Sequence, residues 1–144
     1  MTPSVVLRRL SVCVVLSAIV AGCSESPTVP STDSYSQTDV RVGTGAEALA
    51  TSTVTVEYTG WFFDASKVDK KGLQFDTSVG RSDFIVALGT GAIIAGWDQG
   101  IPGMRVGGLR RLVLPPSLAY GANRYGLIPP NATLVFDIEL HDVK

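Results

Sequence analysis

Side chains capable of bond-making chemistry are few in this chain, and they lie apart. His141 is the one histidine, and Cys13 and Cys23 are the two cysteines. No GxSxG, HExxH or CxxC spacing occurs, so nucleophilic, metal-assisted and general acid–base catalysis lack a set of cooperating groups. No metal and no cofactor are expected. Two glycine-rich stretches match phosphate loops only loosely. GTGAEA (43–48) runs into a strand instead of opening a helix, and GTGAII (89–94) opens a helix outside any βαβ unit, so their glycines are read as turns. The Asn131-Ala132-Thr133 sequon is read as chance. What the chain does concentrate is apolar rings: Tyr58, Phe75, Phe84, Trp97, Tyr120 and Phe136, with Ile93 and Ile94 beside Trp97. Any one of them alone reads as core packing. Together they could line a dry pocket, whose chemistry is binding.

Strands must position most of these rings. Residues 53–58 alternate Val54, Val56 and Tyr58 with polar neighbours, and 61–63 can extend the run. Short strands are expected at 39–42, 73–76, 84–88 and 109–114, and a charged surface loop at 64–72. The last strand, 133–143, alternates cleanly, with Leu134, Phe136, Ile138 and Leu140 on one face and His141 on the polar one. That placement argues against a catalytic His141. One helix is expected at 93–99, ended by Gly100 and blocked from continuing by Pro102. Many strands, one helix and no βαβ connection give an α+β fold, a curved antiparallel sheet wrapped around one short helix. One residue breaks the pattern. If Leu112 and Leu114 face the core, so does Arg110, and a buried guanidinium requires a carboxylate that the sequence does not name.

A length of 144 residues implies one domain, and a net charge of −1 with no basic run excludes an obvious nucleic-acid surface. The first residues read as a leader. Arg8 and Arg9 precede an apolar run, 10–20, that is shorter than the about 20 residues of a membrane span. Val20-Ala21-Gly22-Cys23 then resembles a bacterial lipobox. Residues 1–22 are therefore expected to be a signal peptide, with lipidation on Cys23 anchoring the chain to a membrane; an ordinary signal peptide with a coincidental cysteine is the alternative. Loss of Cys13 with the leader and acylation of Cys23 would leave no free thiol and no disulfide. Residues 23–38, rich in Ser, Thr and Pro, are expected to be a flexible tether dispensable for folding. The folded domain is assigned to 39–144.

Read in order, VEYTG (56–60), FDTS (75–78), the Ile93-Ile94 pair with Trp97, AYG (119–121) and the double proline 129–130 before the last strand resemble the FKBP-type peptidyl-prolyl cis-trans isomerases. The resemblance spans about 38–144. It implies an isomerase that rotates Xaa-Pro amides in an apolar pocket. Trp97 falls at the floor, Tyr58, Phe84 and Phe136 at the walls, and Ile93, Ile94, Leu127 and Ile128 at the rim, with Phe75 among the substrate-binding residues. Asp76 and Tyr120 become the polar contacts, Arg81 lies near Asp76, and the Ile94 N–H is implied to hold a substrate carbonyl. Asp76, Ile94, Tyr120 and Phe136 are the implied catalytic set. Proline-containing polypeptides and macrolides of the rapamycin and tacrolimus type are the implied ligands, with a monomeric protein on the outer side of a bacterial membrane, facing the periplasm if there are two membranes. A non-catalytic chaperone using the same pocket is the alternative. The sequence departs from the family at Arg124 and Tyr125, where some members carry histidine, and in a longer 61–73 segment.

Overall fold

The longest strand is the hub. In the computed structural model, which describes residues 34–144, β2 (Thr53–Phe63) pairs antiparallel with β6 (Leu134–Val143) along nearly its whole length. Its other edge is shared. β4 (Phe84–Ala87) pairs with the first part of β2 and β3 (Lys71–Thr77) with the last. β5 (Leu109–Leu114) and β1 (Ser36–Arg41) follow beyond β6, giving the order β1-β5-β6-β2-β3 with β4 beside β2. The expected leader, Cys23 and most of the expected tether lie outside the described residues.

The alternation seen in the sequence is the alternation of burial. Val54, Val56, Leu112, Leu114, Leu134, Ile138 and Leu140 are fully buried. They form one core beneath the helix. That helix, α1, spans Ala95–Gly100, starting two residues later and ending one residue later than expected. Ile94 is its N-cap and is extended, at φ −61° and ψ 142°. Gly89 and Gly91, both at positive φ, turn the chain out of β4 and keep it from coiling earlier. Two glycines let α1 lie directly on β5. A Cβ on Gly96 would come within 2.5 Å of Leu114 Cδ2, and one on Gly100 within 2.6 Å of Leu112 Cδ1.

Folded structure begins earlier than the sequence suggested. Residues 36–38, assigned to the tether, belong to β1, which pairs from Ser36↔Val113 to Asp39↔Arg110. Tyr35 also packs against the core. β1 carries no periodic signal because it is an exposed edge strand with a polar sequence, SQTDVR. Its hydrogen bonds and two ion pairs hold it, one from Arg41 to Glu139 and one from Asp39. The second supplies the missing partner of Arg110, whose Nε donates to Asp39 Oδ1 at 2.6 Å and Nη2 to Oδ2 at 3.2 Å. Nη1 donates to the Gly100 and Pro102 carbonyls. Arg110 thereby joins the edge strand to the end of α1, with every guanidinium nitrogen in use. A second junction crosses the sheet from β5 to β3. Asp137 on β6 accepts from Arg111 and from Lys71. Burial alone would raise the Asp137 carboxyl, but these two donors hold it below the usual carboxylate range.

Candidate functional site

β2, β3, β4, β6, α1 and the loop after β5 surround a cavity of about 600 Å³, within the usual size of a small-ligand site. Trp97 of α1 lies at its base, 4% exposed. Its ring stands nearly perpendicular to Phe136, at 5.4 Å between centroids, and to Tyr58, at 5.1 Å. Phe84 meets both Tyr58 and Trp97 edge-on. Phe75 meets Phe136 at 5.7 Å and 89°. Edge-to-face contacts of this kind fix the rings relative to one another. The Trp97 Nε1 is buried and meets no acceptor among the described residues.

Gly60 allows the rings to close. It lies in β2 opposite Asp76 on one side and Phe136 on the other, beside a register shift. A Cβ there would fall 2.7 Å from Phe75 Cζ and 2.9 Å from Phe136 Cε1.

One edge of the cavity is polar. The Tyr58 hydroxyl donates to Asp76 Oδ2 at 2.6 Å, while Asp76 Oδ1 accepts the Thr77 N–H at 2.8 Å. Arg81 Nη1 lies 3.7 Å from the same carboxylate. Burial, then the hydrogen bond to Asp76 and the charge on it, push the Tyr58 phenol far above its ordinary range. Backbone bonds fix this residue: its N–H donates to Ser78 Oγ, and its carbonyl accepts from the Ser78 N–H. Tyr120 follows a short 3-10 turn, Pro116–Leu118. Burial raises its phenol, with the neighbouring Tyr125 and Asp76 adding to the effect.

Tyr58, Phe75, Asp76, Phe84, Ile93, Ile94, Trp97, Tyr120 and Phe136 thus all face the cavity. Ile94, as N-cap, accepts the Trp97 N–H with its carbonyl. Its own N–H meets no protein acceptor among the described residues. Three expected residues lie elsewhere. Ile128 is 5% exposed and points into the core, and Leu127 is 78% exposed at a turn tip, so neither lines the cavity. Their order in the loop suggested a rim; the tight turn that brings Tyr125 and Ile128 together sends them in opposite directions. Arg81 reaches the site only through Asp76, its side chain 70% exposed. The sequence marks Tyr125 as a departure from the family and not as a wall, yet it lines the cavity and stacks on Tyr120 at 4.5 Å and 15°. Small residues such as Ala92 and Ala95 also line it and carry no signal in sequence. His141 is outside the cavity, its Nδ1 3.4 Å from Asp83.

Comparisons with known proteins agree with this geometry. The model of a family described as FKBP-type peptidyl-prolyl cis-trans isomerase matches residues 45–141. FK506-binding protein 1B of Neurospora crassa is 46% identical over 103 residues, 71% of this chain and 91% of its own length. The FK506-binding protein of Neisseria meningitidis serogroup B is 42% identical over 104 residues, 71% of this chain and 89% of its own. Among solved structures, AtFKBP13 aligns with a TM-score of 0.64 at 36% identity, over 76% of this chain and 93% of that one. FkpA from Escherichia coli aligns with a TM-score of 0.63 at 38% identity, over 76% of this chain, which spans about half (48%) of it.

Proposed function

The chain belongs to the FKBP-type peptidyl-prolyl cis-trans isomerases, and from that premise we propose that the ring-lined cavity over Trp97 is where it rotates Xaa-Pro bonds, in clients outside the cytoplasm. One observation carries this reading: a tryptophan floor walled by Tyr58, Phe84 and Phe136, with a single polar edge at Asp76 and Tyr120. Amide rotation faces a barrier of about 18–20 kcal/mol because resonance makes the C–N bond partly double. The planar amide is the more polar form, and water favours it. A dry aromatic cavity removes that preference and binds the twisted amide better than the planar one, which is differential binding. Each ~1.4 kcal/mol of difference is tenfold in rate.

The free Ile94 N–H and the Tyr120 hydroxyl are the donors suited to hold the substrate's carbonyls. Asp76, tied to Tyr58, keeps the pocket wall in place. No proton needs to move. The same cavity is suited to macrolides of the tacrolimus and rapamycin type. Lipid on Cys23, following Val20-Ala21-Gly22, would hold a monomeric domain at the membrane. Two measurements test the reading. Titration with tacrolimus should saturably change Trp97 emission and raise the Tm; no change in either would remove the pocket. Mass spectrometry of the membrane-extracted protein should find an acylated N-terminal Cys23; an unmodified chain starting elsewhere would remove the anchor.

A further inference from the structure

Tyr125 is the ring of the site that the family motifs do not account for. It is 63% exposed, yet it is held firmly. Its N–H donates to the Ile128 carbonyl at 3.0 Å and its carbonyl accepts the Ile128 N–H at 2.8 Å, closing a two-residue turn through Gly126 at φ +55°. Ile128 is anchored in the core. One face of the Tyr125 ring lies flat on Tyr120. The pair therefore forms a two-ring step at the mouth of the cavity, with Tyr125 the outer ring. A large, open aromatic face beside a pocket is a surface for another ring. Its order before binding keeps the entropic cost of using it low.

We propose that Tyr125 is a specificity-determining residue that selects clients carrying an aromatic residue next to the isomerised proline, by stacking on that residue's ring. The inference rests on the isomerase reading of the cavity. An aliphatic side chain of similar size can shed as much water against Tyr125 but gains no ring–ring contact, and that contact corresponds to about threefold to tenfold in binding. Tyr125→Leu removes the ring and keeps an apolar side chain. Tyr125→Phe keeps the ring and removes the hydroxyl.

The test is isomer exchange by the full chain on two peptide series, Xaa-Pro and Pro-Yaa, comparing Phe with Leu at the varied position. The unaltered chain should favour Phe by about threefold to tenfold in kcat/KM in one series at least. Tyr125→Phe should keep that ratio, and Tyr125→Leu should bring it to about one. A ratio near one in the unaltered chain, or one that survives Tyr125→Leu, overturns the proposal and leaves the isomerase reading standing. Absence of exchange on every peptide by the unaltered chain overturns both. Circular dichroism and the Tm of each variant establish that it is folded before its ratio is read.

Discussion

Adding one methyl group at Gly60 should loosen the site from within. Gly60→Ala places a Cβ 2.7 Å from Phe75 Cζ and 2.9 Å from Phe136 Cε1, both closer than real Cβ contacts, so at least one ring must move. Its φ does not lie in the left-handed region, so the penalty is steric and not conformational. Overpacking of this kind costs about 1–3 kcal/mol. Restricting the unfolded chain returns about 0.4–1 kcal/mol. The net loss lies between about zero and 2.6 kcal/mol, or up to about 10 °C in Tm for a domain of this size. Phe136 contacts Trp97 and Tyr58, so displacing it should also open the wall and lower kcat/KM by about tenfold. The assays are thermal unfolding and isomer exchange on an Xaa-Pro peptide. Phe75→Leu shortens the ring that the new methyl meets. In the Gly60→Ala background it should therefore cost less than it does alone, a coupling that a double-mutant cycle reads directly. Unchanged stability and activity in Gly60→Ala, or strict additivity in the cycle, would refute the placement of the two rings.

Three other changes test other parts of the structure. Because the folded Tyr58 phenol is raised above the ordinary value of about 10, the folded state holds a proton that the unfolded state releases. The stability this residue contributes is whole below about pH 10 and is lost as pH climbs toward the raised value; Tyr58→Phe should make the alkaline fall in Tm shallower. Asp137 is shifted the other way, so its contribution is present above the ordinary carboxylate value of about 4 and is lost on acidification. Asp137→Asn leaves Lys71 and Arg111 without their shared carboxylate and should cost about 2–4 kcal/mol at neutral pH in a denaturant titration, near the range for breaking a buried pair. Removing residues 34–38 deletes Tyr35 and half of β1; a chain starting at Asp39 should melt several degrees below one starting at Ser34, and equal Tm values would show that β1 does not depend on its first half.

The parts of the fold legible in the sequence were those where one face of an element is buried. β2 and β6 announced themselves through alternation, and β5 was placed at its observed ends. Edge strand β1 was read too short because both its faces are exposed and its order comes from backbone pairing and from Asp39. Arg110 could be recognised as buried from its neighbours, but its partner lies 71 positions away, and no local pattern spans that distance. The site divides in the same way. Rings on regular elements, such as Trp97 and Phe136, were placed by periodicity and motif. Residues of the 125–128 turn were not, because a tight turn reverses direction within two residues: Ile128 goes inward, Leu127 outward, and Tyr125 over Tyr120.

The central claim is that catalysis comes from a dry cavity and not from proton transfer. The direct measurement is kcat/KM for Xaa-Pro exchange as a function of pH, in the unaltered chain and in His141→Ala, Tyr120→Phe and Phe136→Ala. The profile should be nearly flat between about pH 6 and 8, where a histidine would titrate, and His141→Ala should retain activity. Phe136→Ala should lower activity the most by admitting water, once its expected loss of about 3–5 kcal/mol in stability has been checked against the assay temperature; Tyr120→Phe, which keeps the ring, should lower it less. A bell-shaped profile, or loss of activity through the His141 change alone, would contradict the desolvation account and return the site to acid–base chemistry.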